Sequence, residues 1–208
     1  LIYKSSLPEI ESIILAINNN DSLLSEKLKS SSLVQSLVKN NSMEFLQYLH
    51  YAKQCEPQAL GYTQNYWDEI LRDSVEMKSL IEDGLEYYNA CDNLFLKVRY
   101  AYQVIRLTHY LKHYYQTIHL YDTLIVPLNS TSIIKYWALT HKAGALASVG
   151  EYSHSTYLFA KIFDECMSKR NLASLNFKIR SASQLYETLE YCQKNNKKSA
   201  VWFLHSYH

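Results

Sequence analysis

Residues Leu111-Lys112-His113-Tyr114 and Val149-Gly150-Glu151-Tyr152 fall into register at an offset of 38 positions, and the match continues with Tyr121 against Phe159 and Leu124 against Ile162. Each stretch lies between two runs whose apolar residues recur at helical spacing, so each predicts the corner of a helix hairpin. A hairpin with one apolar face cannot bury that face alone and has to stack on a neighbour. The repeat therefore constrains architecture before any single residue does, and it names no ligand.

Composition agrees with a helical chain. Four Gly and three Pro in 208 residues leave little material for the tight turns of an all-β sandwich or barrel. The formal charge of +1 gives no general argument for nucleic acid or an anionic membrane. Tyrosine stands out, with 19 residues against six Phe and three Trp. Its spread along the whole chain favours half-buried core positions over one dedicated groove. Cys55, Cys91, Cys166 and Cys192 form no CxxC or Cys/His knuckle, which argues against structural zinc and against a disulfide-dense scaffold. No run reaches the ~18 apolar residues of a membrane span. The chain starts at Leu1 without a signal-peptide pattern and is expected to be a soluble, trimmed or processed piece of unspecified compartment.

Ser6-Leu7-Pro8-Glu9 opens a helix that carries Ile10, Ile13, Ile14 and Ile17 on one face and stops at Asn18 to Asp21. Shorter and stronger helices are expected over 31–39 and 43–54, with a loop over 56–64 where Pro57 and Gly61 fall. Helices resume over 66–72 and 75–90. Asp92-Asn93 can cap a helix through Lys112, followed by a helix from Tyr114 to Ile125. The next pair runs from Ser132 to the turn at Gly150 and back through Phe163. A run over 171–193 and another over 199–207 would complete a third hairpin. This places N-terminal helices over 1–56 and a helical-hairpin region over 65–208, with one continuous domain, 1–208, as the alternative.

Ala143-Gly144-Ala145-Leu146-Ala147-Ser148-Val149-Gly150-Glu151-Tyr152, followed by Phe159, resembles a tetratricopeptide-type repeat. The likeness lies in small residues in the first helix, a Gly-acidic-Tyr corner and an aromatic residue in the second helix. Ser155 stands where the family prefers Ala, no Pro follows the second helix, and the spacing of 38 exceeds the family's period of about 34. The earlier copy has Lys112-His113 at its corner. The resemblance spans roughly residues 94–167 and implies a short solenoid of antiparallel hairpins, with first helices lining a surface for a peptide or subunit. Arg99, Tyr102, Arg106, Tyr136, Thr140 and Lys142 are the residues expected on that surface, Tyr and Arg being common interface anchors.

Other constellations are weaker. His109 and His113 are spaced as two metal ligands on one helix would be, with His119 and His141 as further candidates, but Tyr110 stands where an HExxH motif needs Glu. Lys97, Arg99, Arg106 and Lys112, interleaved with tyrosines, suit single-stranded nucleic acid, yet these cations are distributed around the helix. Lys169-Arg170 begins a second basic region. Paired carboxylates such as Asp164/Glu165 are adjacent and diverge on a helix, and no P-loop, GxGxxG or GxSxG is present. The sequence thus leads to a non-enzymatic interaction scaffold without cofactor, with a His-based metal site or enzyme and a nucleic-acid-binding repeat as alternatives.

Overall fold

The computed structural model describes residues 6–19, 32–39, 43–60, 72–193 and 198–207, and within them the chain is all-helical. It divides into two compact units, Leu1–Gly84 and Leu85–His208, each considered by itself below.

In the first unit, α1 (Leu7–Asn19), α2 (Ser32–Lys39) and α3 (Met43–Leu60) gather Ile13, Val34 and Leu46 into a small core, with Ile14 and Leu49 packed on it. Glu9 reaches back to the start of α1, its Oε2 accepting from the Ser6 amide at 2.8 Å and from the Ser6 hydroxyl at 3.3 Å. α3 extends beyond the expected end at 54 and takes in Pro57. The proline removes one helical donor near the end of the helix, and Cys55, Gln58 and Ala59 continue the buried face, so packing outweighs that loss. The helix expected over 66–72 lies outside the described residues, except for Arg72, which precedes α4 (Ser74–Ala90). Asp73 caps α4 by accepting from the amides of Val75 and Glu76, and Tyr51 of α3 donates to the Leu80 carbonyl at 2.9 Å.

The second unit begins within α4 and contains the hairpins. α5 (Leu94–Tyr110) is capped by Asn93, whose side chain accepts from the Phe95 amide. α6 (Tyr114–Leu120) runs on into a π turn (Tyr121–Ile125) and a 3-10 turn (Val126–Leu128). α7 (Ile134–Ser148) packs on α5, α6 and α8 (Tyr152–Glu165). Fully buried Ala138, Ala143 and Ala145 allow this close approach. α8 in turn supports α9 (Arg170–Asn176), α10 (Ala182–Gln193) and α11 (Lys198–Tyr207). Leu139, Leu146, Tyr157, Phe159, Ile162, Phe177 and Leu204 belong to the continuous core beneath them.

Both corners at the 38-residue offset have the same backbone. Lys112 (φ 62°) and Gly150 (φ 91°) are both left-handed. His113 N–H donates to the Thr108 carbonyl and Glu151 N–H to that of Leu146. Lys112 N–H donates to His109 and Gly150 N–H to Ala147. This is one Schellman closure made twice.

The run expected over 171–193 is interrupted between α9 and α10. Phe177 turns extended to bury its ring, and the Lys178 carbonyl accepts from Thr156 and Gln184 at 3.0 and 2.8 Å. Buried side-chain donors thus replace helical ones at that point.

Candidate functional site

The first helices of the two hairpins, α5 and α7, together contain no Asp or Glu. On α5, helical spacing aligns Arg99, Tyr102, Arg106 and His109/Tyr110 into one stripe. On α7 the facing stripe is Trp137, His141 and Gly144. At Gly144 the two stripes leave no room for a side chain: a Cβ there would lie 3.1 Å from His109 Cε1.

The side chains interlock. The His109 and His141 rings lie 5.1 Å apart, centre to centre. Tyr110 meets His141 edge-on at 5.7 Å, Tyr114 meets His109 at 5.6 Å, and Tyr102 meets Trp137 at 5.9 Å. Two cations lie over this aromatic bed. Arg106 sits about equally far from Tyr102 and Tyr110, at 5.9 and 6.0 Å, and Lys169 Nζ lies 5.1 Å from the Trp137 ring. Trp137 Nε1 donates to Ser168 Oγ, which ties the short turn before α9 to α7. Every ring and cation of this cluster is half-buried.

Electrostatically the cluster is one-sided. Burial first, then His109, Arg106 and Lys169, hold the His141 imidazole well below its usual range, and burial lowers His109 as well. Burial also pushes the Lys169 ammonium down, and Arg106 adds to this against an opposing pull from Cys166. Among the described residues no carboxylate contributes to the shift of either His141 or Lys169. Arg106 and Lys169 make no ion pair with any described residue. The Nδ1 atom of His109 is buried without a hydrogen-bond partner.

The residues expected from sequence are distributed unevenly. Tyr102 and Arg106 belong to the cluster. Arg99 continues their stripe, stacked 3.4 Å from the Phe95 ring and donating to the Phe95 carbonyl. Thr140 is buried and donates to the Trp137 carbonyl. Lys142 is buried and paired with Asp122 at 2.6 Å, and Tyr136 packs against the core on the side of α7 that faces α6 and the π turn. His109 and His113 are not brought together, because α5 ends at Tyr110 and the left-handed Lys112 intervenes. His113 and His119 are exposed. Among the described residues no three His, Cys, Asp or Glu side chains gather as a metal would require.

Trp137, His141 and Lys169 are the additions made by tertiary structure. A signal for the first existed: the 38-residue offset carries Arg99 onto Trp137 and Gln103 onto His141. Lys169 comes from beyond α8 and has no such marker.

Away from this cluster a concavity of about 630 Å³ opens between the start of α8 and α10. Its groups are largely engaged with one another: Arg180 stacks 3.7 Å from Tyr152, and Glu187 accepts from Ser153 and Ser183. Comparison with protein-family models, with curated proteins and with solved structures finds no match.

Proposed function

We propose that residues 85–208 form a protein-interaction module, a short stack of antiparallel hairpins of the tetratricopeptide kind. Its first-helix face, α5 and α7, receives an acidic segment of a partner protein. The observation that carries this reading is Arg106 and Lys169 lying half-buried over aromatic rings with no ion-pair partner among the described residues. Two like charges held together cost free energy in the free protein, and an acidic partner relieves that cost. The rings supply flat, rigid area at low entropic cost, and the cations supply direction. The repeated Schellman corner and the packing of α5 on α7 and α7 on α8 support the hairpin stack.

Arg99, Tyr102 and Arg106 keep the partner-facing role expected of them, joined by Trp137, His141 and Lys169. Lys142 serves its pair with Asp122. Fluorescence anisotropy with a labelled Asp/Glu-rich peptide tests the assignment. Arg106→Ala with Lys169→Ala should lower affinity about ten-fold or more, and Lys135→Ala on the opposite side of α7 should leave it unchanged. Full affinity in the double variant, with helicity retained by circular dichroism, removes the proposal.

A further inference from the structure

Charge bookkeeping at this face points to a more specific ligand. Arg106 and Lys169 are two cationic side chains, both half-buried, and neither is paired with an acidic group among the described residues. His141 adjoins the same rings, 6.0 Å from Tyr102 and 5.7 Å from Tyr110, and has no hydrogen-bond partner among the described residues, which leaves its ring N–H for an acceptor. One carboxylate would neutralise one of the two cations and offer two oxygens. A phosphate monoester carries a charge of about −1.5 to −2 at pH 7 and offers three strong acceptor oxygens. The guanidinium fork of Arg106 suits two of those oxygens, and the Lys169 ammonium acts as a point charge beside the third. The half-buried Trp137, Tyr102 and Tyr110 rings exclude water around such a group and strengthen each contact.

We propose that the acidic segment presents a phosphorylated side chain whose phosphoryl group is held by Arg106, Lys169 and His141 beside the Trp137 ring. This rests on the interaction role proposed above. The concavity between α8 and α10 does not compete for such a group, since Glu187 and Glu190 line it beside Arg180.

The test uses one acidic peptide in three versions, with serine, glutamate or phosphoserine at its centre, titrated into the full chain by calorimetry. The phosphoserine version should bind about ten-fold more tightly than the glutamate version. Arg106→Lys, which keeps the charge and loses the fork, should remove most of that difference while preserving helicity. Arg106→Gln with Lys169→Gln should bring all three peptides to similar weak binding. Equal affinity for the glutamate and phosphoserine peptides overturns the phosphoryl site and leaves the acidic-segment reading standing. No binding of any version overturns both. A single-stranded RNA that binds more tightly than the phosphopeptide and displaces it also overturns the proposal, because the phosphoryl group would then belong to a nucleic-acid backbone.

Discussion

The most informative residue is His141, where burial and the neighbouring His109, Arg106 and Lys169 all disfavour the charged ring. Arg106, Tyr102, His109 and Tyr110 face it from α5, and the like charge of Lys169 acts on it from the turn before α9. Its folded-state proton affinity is lowered, so the unfolded chain takes up protons first as pH falls below about 6.5. Stability is therefore complete above that value and declines toward the depressed folded-state range, by at most about 1.4 kcal/mol per pH unit for each such histidine. His109 and His154 are lowered too and add to the slope. Urea denaturation between about pH 8 and pH 5 should show the decline, and His141→Gln should flatten part of it. An identical slope in that variant contradicts the account. Gly144 makes the second residue-scale prediction. Valine there would drive into the His109 ring, already 3.1 Å from a hypothetical Cβ, and should cost about 2 kcal/mol by denaturant titration.

At the scale of elements, the two corners form a natural experiment. The same hydrogen bonds close both, yet one left-handed position holds Gly150 and the other Lys112. A Cβ at position 150 meets nothing within 4 Å, so Gly150→Ala isolates the backbone cost, about 1 kcal/mol. Lys112→Gly removes the same strain, less the added freedom of the unfolded chain, and should stabilise by a few tenths to about 1 kcal/mol. Opposite signs in the two variants, read from thermal unfolding, are the expected result. These corners were legible in the sequence because the match at the offset preserves local turn chemistry and the apolar rows on either side. The end of α3 and the break after α9 were not. At Pro57 local propensity pointed to a loop and tertiary burial carried the helix on. At 177–181 helical periodicity pointed onward, and the buried hydroxyl and amide of Thr156 and Gln184 stopped it.

At the scale of the molecule, two properties are collective. The first is the core of the second unit, where α8 touches α7, α9, α10 and α11 and so ties the hairpins to the C-terminal helices. Phe159 is 3% exposed on α8, and Phe159→Ala should cost about 3–5 kcal/mol with loss of cooperative unfolding in that unit. The second is charge distribution: a chain with a formal charge of only +1 keeps every acidic residue off α5 and α7. Attraction to an acidic peptide should accordingly weaken as salt rises toward 1 M, where screening acts over about 3 Å. Salt-independent affinity would assign the binding to apolar contact alone.

The sequence by itself determined what local physics controls: helices, their apolar stripes, the two corners and the small residues that bring α7 close to its neighbours. These depend on residues a few positions apart, so they can be read along the chain. Which cations remain unbalanced was decided by the tertiary structure. Lys142 and Lys169 look alike in sequence, but Asp122 reaches the first from the neighbouring hairpin, while the second arrives beside Arg106 and the Trp137 ring. A helix turns about 100° per residue, so the face left open depends on elements that return from 20 or more positions away.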